Sequence, residues 1–305
     1  MKKTDKPLLV VLAGPTASGK TSLCIRLAHH FFTEIISADS RQIYKELCIG
    51  VARPSLEQLS EVQHHFIGTV SIHDYYNASI FETEALQLLS RLFETYPLVL
   101  MTGGSGLYVD AVCKGIDDLP SIKQEIRNEL MEEYRLKGRI YLQEELKKVD
   151  PFFFSKTDIY NPKRILKALE VFRQTGRPYS SFLTGSAKQR PFRILKIALD
   201  VAREELYRRI NERTDTMMLQ GLEEETRGLY PFRNLNALNT VGYKELFGYF
   251  DGTYNKDEAI RLIKRNTRRY ARRQITWFRK DREYHWFSPS EPHTIIQFIE
   301  DQLNI

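Results

Sequence analysis

Residues 14 to 21 read Gly14-Pro15-Thr16-Ala17-Ser18-Gly19-Lys20-Thr21, the pattern G-x-x-x-x-G-K-[ST]. The apolar run Leu8–Ala13 precedes it, and Ser22–Phe31 follows with helical spacing. Strand, glycine loop and helix thus stand in the order that a phosphate-binding loop requires. Such a loop wraps backbone N–H groups around an anion, and the start of the helix adds the positive end of its dipole. Lys20 is expected to pair with phosphate oxygens, and the Thr21 hydroxyl to hold Mg²⁺. The motif defines a phosphate site and leaves the reaction open.

Further strand candidates are Ile35–Ala38, Leu98–Met101 and Ile194–Leu199, with helical patterns between them, as in Ala78–Glu94. Short apolar runs alternating with helices predict an α/β fold: a P-loop NTPase-like parallel sheet core flanked by helices. Ligands gather at the carboxyl ends of such strands. The phosphate loop, Asp39 and the Gly103-Gly104 turn all lie there in the sequence.

Between Cys113 and Arg193 the pattern turns helical throughout. Ser121 and Gln124 have capping-box spacing, Ile126, Leu130 and Tyr134 form an apolar stripe, and Gly138 is expected to end that helix. Asp150-Pro151 breaks the next stretch, and Asn161-Pro162 opens a helix over Lys163–Gln174 with Gly176 beyond it. The expected organisation is a core of residues 1–115 and 192–305 with basic C-terminal helices, interrupted by an all-helical insertion domain at 116–191.

The chain has 305 residues, enough for one large or two medium domains. No stretch approaches bilayer length, so no membrane association is expected. Met1-Lys2-Lys3 ahead of Leu8 imitates a leader peptide, but Asp5 and Pro7 interrupt it and the phosphate loop follows at once, which favours a first core strand. Cys24, Cys48 and Cys113 are far apart and form no C-x-x-C, as expected of a reducing, cytoplasmic compartment.

Charge is uneven. Residues 261–280 carry nine Lys and Arg and no acid, against +6 for the whole chain, so the remainder is net negative. This points to a polyanionic partner. At about 100° per residue, Arg261, Arg265, Arg268, Arg272 and Arg279 share a narrow helical face, with Ile263, Tyr270 and Trp277 expected on the packed side.

Many phosphate loops serve phosphoryl transfer and use an acid at a neighbouring strand end. Leu98–Met101 ends instead in Thr102-Gly103-Gly104, and the available carboxylate is Asp39. It can organise metal, act as a base, or cap the following helix, so kinase and non-kinase chemistry both stay open. Asp117-Asp118 lacks the third acid of D-D-x-x-D, and His29-His30 and His64-His65 lack zinc-ligand spacing.

Several stretches together resemble the tRNA dimethylallyltransferase (tRNA isopentenyltransferase) family: the phosphate loop; Asp39-Ser40-Arg41-Gln42-Ile43-Tyr44; Ile49-Gly50-Val51-Ala52-Arg53-Pro54; and Gly103-Gly104-Ser105-Gly106-Leu107-Tyr108. Further along come Arg164–Glu170, Arg209-Ile210 with Arg213, Val241–Leu246 and Arg269–Arg279, in the family's order across nearly the whole chain. Ser105 stands where the family usually has Thr, Gly68 stands at a usual Asp, and residues 66–80 depart from the pattern.

The resemblance implies transfer of a dimethylallyl group from dimethylallyl diphosphate to the exocyclic amine of the adenosine 3′-adjacent to a tRNA anticodon. Asp39 would be the base, with Lys20, Thr21 and Arg213 as the other catalytic groups. Gly14–Thr21 would grip diphosphate, with Mg²⁺ on Thr21. Asp39, Ser40, Arg41, Gln42, Ser105, Arg164, Gly242, Tyr243, Lys244, Arg268 and Arg272 would contact tRNA, and the insertion would clasp the anticodon stem-loop. No obligate protein partner is expected. The competing readings are an adenylate isopentenyltransferase on free nucleotides, a small-molecule P-loop kinase, and a non-catalytic RNA-binding ATPase or switch.

Overall fold

Leu9, Val10, Val11 and Leu12 are wholly inaccessible to solvent. A strand buried on both faces belongs at the centre of a parallel sheet, and this one, β1 (Leu8–Ala13), lies there. The computed structural model describes residues 6–303. Among these, β1 pairs in parallel with β4 (Leu98–Gly103) on one side and β5 (Arg193–Leu199) on the other. β2 (Ile35–Ser37) and β3 (His64–His65) extend the sheet beyond β4, and β6 (His285–Phe287) extends it beyond β5. The order is β3-β2-β4-β1-β5-β6, parallel throughout.

The flanking helices are α1 (Lys20–Phe31), α2 (Leu56–Glu61), α3 (Ala78–Leu92), α4 (Gly106–Lys114), α8 (Arg203–Leu219), α9 (Leu222–Leu229), α10 (Tyr243–Phe250), α11 (Lys256–Arg279) and α12 (Pro292–Leu303). Leu23, Leu27, Leu100, Ile197 and Ile295 join the sheet to α1 and α12 in one apolar core. A Cβ at Gly103 would collide with the Ala38 carbonyl, so β2 and β4 can end side by side only with glycine there. No helix among the described residues is long and apolar enough to cross a membrane.

Residues Gly115–Lys188 form a separate compact unit. It consists of α5 (Gln124–Val149), α6 (Pro151–Lys156) and α7 (Pro162–Thr175), packed through Leu130, Leu142, Leu146, Ile165 and Leu169. Asp150 caps α6 by accepting the Phe153 N–H at 2.9 Å, and Pro151 fills the first turn. Asn161 accepts the Lys163 N–H ahead of α7, and Gly176 closes that helix in the left-handed region. Two expectations fail. Ser121 does not cap α5: the helix starts at Gln124, and the Lys123 N–H instead donates to Gln174. Gly138 kinks α5 at φ 75° rather than ending it, because helix resumes on its far side.

Candidate active site

The loop after β1 is shaped by Gly14 (φ 154°), Ala17 (φ 64°) and Gly19 (φ 92°). Backbone in the left-handed region lets successive N–H groups converge on an anion. Lys20 folds back over the loop, and its ammonium donates to the carbonyls of Gly14 (2.9 Å) and Pro15 (2.7 Å). Burial pulls its pKa down from 10.5 to about 7; Asp39 opposes this and Arg213 adds to it. Burial also lowers the Arg213 guanidinium, which donates to the Thr16 hydroxyl at 3.4 Å. The Ser18 hydroxyl is wholly buried and has no hydrogen-bond partner among the described residues. The loop thus offers donors to a small desolvated anion.

Asp39 follows β2. One carboxylate oxygen accepts the N–H groups of Arg41 (2.9 Å) and Gln42 (3.3 Å), so the group is held in a turn at the carboxyl end of β2. Asp39 lines a cavity of about 1210 Å³ together with Thr16–Thr21, Gly103, Gly104, Arg213, Arg269, Tyr270 and Arg273. The Ser105 hydroxyl accepts the Ser40 N–H at 3.0 Å and donates to the Ser40 hydroxyl. Tyr270 shares a hydrogen bond with Ser105, and burial beside Asp39 pushes its phenol up to about 12.

Gln274 of α11 is 5% exposed and joins two of these pieces. Its carbonyl accepts the Thr16 N–H and its amide donates to the Gly104 carbonyl, both at 2.8 Å. Glu225 of α9 accepts the N–H groups of Cys48, Ile49 and Gly50 and the Tyr243 hydroxyl, and so fixes a loop that lines the cavity. Sequence reasoning assigned neither residue a role. Gln274 stood in a quoted motif, but its partners lie 258 and 170 residues away. Glu225 is one of three consecutive glutamates, and nothing local sets it apart.

Several residues expected to contact RNA also make bonds or contacts within the protein. Arg41 donates to the carbonyls of Asn236 and Ala237, and Gln42 to those of Val51 and Ala52. Tyr243 is fully buried against Gly50. Gly242 is also buried, its N–H held by Glu245, whereas Lys244 is exposed and lines the cavity. Arg164 is exposed on α7 in the other unit.

On α11 the charge divides along the helix axis. Arg261 pairs with Glu258, Lys264 with Asp215, and Arg268 bonds Asn211 at 2.7 Å. Arg269, Arg272, Arg273 and Lys280 are exposed with no carboxylate at ion-pair distance among the described residues, and with Thr276 and Trp277 they line an outer groove of about 650 Å³. Ile263 packs as expected, but Trp277 does not: it is 41% exposed, because near the helix end α4 covers only one edge of its ring.

The fold thus sets a phosphate-binding loop and the Asp39 carboxylate on one cavity at the carboxyl ends of parallel strands. A family profile described as IPP transferase matches residues 42–281, and the chain is 52% identical over 295 residues to tRNA dimethylallyltransferase 2 of Parabacteroides distasonis, a match covering 97% of this chain and 99% of the relative. The chain belongs to the tRNA dimethylallyltransferase (IPP transferase) family. It is also 51% identical to tRNA dimethylallyltransferase 1 of Bacteroides fragilis, over 96% of this chain and 97% of that one. The crystal structure of the full-length tRNA isopentenylpyrophosphate transferase from Bacillus halodurans matches with a TM-score of 0.71 at 34% identity, covering 98% of this chain and 97% of that one. Membership gives the activity: dimethylallyl transfer in tRNA modification.

Proposed function

We propose that the chain transfers the dimethylallyl group of dimethylallyl diphosphate to N6 of the adenosine 3′-adjacent to the anticodon, releasing diphosphate. The observation that supports this best is the shared cavity: the phosphate loop, the Asp39 carboxylate, and arginines that also face the outer groove line the same space. An adenine amine is a poor nucleophile, because its lone pair is delocalised into the ring. Asp39 takes a proton from that amine as the new N–C bond forms. The allylic C–O bond breaks, and its electron pair leaves on the diphosphate oxygen. Lys20, Arg213 and the loop N–H groups stabilise that developing charge. The adenosine must leave the anticodon-loop stack to reach Asp39.

The donor set suits a hard cation, with the Thr21 hydroxyl at the start of α1 on the cavity wall. Mg²⁺, held by Thr21 and diphosphate oxygens, would supply charge neutralisation. Residues 115–188 would clasp the anticodon stem-loop. In support, Lys156 lies over the exposed Phe152 ring and Arg139 over the exposed Tyr160 ring, pairings that suit RNA contact.

The test is incubation with dimethylallyl diphosphate, Mg²⁺ and either unmodified tRNA or free AMP, followed by mass spectrometry of the nucleosides. A prenylated adenosine from tRNA alone is expected. Product from AMP alone would favour the free-nucleotide reading, and consumption of ATP in a parallel assay would favour the kinase.

A further inference from the structure

Trp277 is out of character with its helix. Phe278, the next residue, is 1% exposed, whereas the Trp277 indole is left 41% open. An aromatic surface of this size facing water forgoes burial energy. Yet the ring is held firmly. Its Nε1–H donates to Asp110 of α4 at 2.9 Å, and its pyrrole edge lies so close over Gly106 that any Cβ there would collide with it. Asp110 is itself braced: Lys114 lies 3.6 Å from it and 2.7 Å from Asp281, which also pairs with the buried Lys196. A ladder of alternating charges therefore anchors one edge of the indole, while the ring contributes to the outer groove with Arg269, Arg272, Arg273 and Lys280.

A rigid aromatic face among exposed cations matches the chemistry of an unstacked nucleotide, whose base stacks while its phosphates meet the cations. Among the described residues the groove offers no second large apolar side chain that a protein partner would need as an anchor. Arg269 and Arg273 line both this groove and the central cavity, so the two spaces adjoin. We propose that Trp277 is a stacking platform for an unpaired nucleobase of the RNA substrate, next to the nucleotide that enters the central cavity. This rests on the reading of the chain as a tRNA-acting enzyme. The platform holds the splayed loop open while its neighbour reacts, and it favours loops over duplex because paired bases present no free face.

The chain has two tryptophans, so Trp286→Phe makes Trp277 the sole tryptophan, read by exciting at a wavelength the tyrosines do not absorb. Titrating that protein with unmodified anticodon stem-loop RNA should quench its fluorescence to saturation. A blunt duplex of equal length should bind, if at all, without comparable quenching. In the unaltered background, Trp277→Leu should weaken stem-loop binding about tenfold or more. It should raise KM for tRNA and leave KM for dimethylallyl diphosphate within about twofold. Trp277→Phe should restore most of the loss, since a phenyl ring also stacks. Were Trp277 only a staple between α11 and α4, Phe, which lacks the indole N–H, would do no better than Leu, and that result overturns the proposal. Stem-loop binding without any change in Trp277 emission also overturns it, while leaving the tRNA reading intact. Absence of both stem-loop binding and prenylated product overturns the tRNA reading and the proposal with it.

Discussion

The diphosphate cradle and the outer end of α11 are both cationic, and they are built in opposite ways. In the cradle, Lys20 and Arg213 are tied to loop atoms, and burial lowers both pKa values. On outer α11, four cations stand exposed without carboxylate partners among the described residues. Buried cations of fixed geometry discriminate a small anion, because each interaction is strong where water is excluded. Exposed ones recognise a polyanion through counterion release, which depends on number more than on position. The two regions should therefore fail differently when altered.

The largest effect is expected inside. Asp39→Asn should lower kcat by about 10²–10⁴ with diphosphate and stem-loop affinity retained; lost RNA binding would instead make Asp39 a structural residue. Lys20→Met should lower kcat/KM for dimethylallyl diphosphate by about 10²–10³, the cost of one missing donor to developing charge, with stem-loop affinity unchanged.

Outside, the signature is ionic. Replacing Arg269, Arg272 and Arg273 together with Gln should weaken stem-loop binding and reduce the slope of log K against log salt by about 2, from about 0.7 per phosphate contact. An unaltered slope would erase the contrast between the regions.

Protonation sharpens it further. A bound anion favours the ammonium form of Lys20, whose pKa in the free protein is about 7. Below that pH the charge is already present. Above it, pyrophosphate binding must take up a proton, so the contribution of Lys20 to affinity falls as pH rises. Calorimetry at pH 8 in buffers of different ionisation enthalpy should reveal this uptake, and Lys20→Met should remove it. The smallest effect belongs to the inner half of α11. Arg261→Gln and Lys264→Gln should change stem-loop affinity by less than about twofold, because surface cations already matched with carboxylates release few counterions.

How much was legible follows the same division. β1, β2, β4 and β5 could be read because strands buried on both faces appear as unbroken apolar runs, and the phosphate loop because its residues are contiguous. β3 and β6 could not: a two-residue His64–His65 strand and a three-residue edge strand carry no pattern of their own. The basic window on α11 was visible, but which cations were free was not. Asp215 and Asn211, which engage Lys264 and Arg268, sit on another helix. Trp277 fell on the expected packed side by angle alone, and periodicity does not reveal where the neighbouring helix runs out.

Gln274 and Trp277 are three positions apart on one helix, the first gripping the phosphate loop and the second opening on the outer groove. A one-residue insertion between them would swing the second by about 100° relative to the first. Whatever drift the surrounding sequence tolerates, the count of residues between these two cannot vary without uncoupling the inner clamp from the outer shelf, so the interval works as a ruler written into the chain.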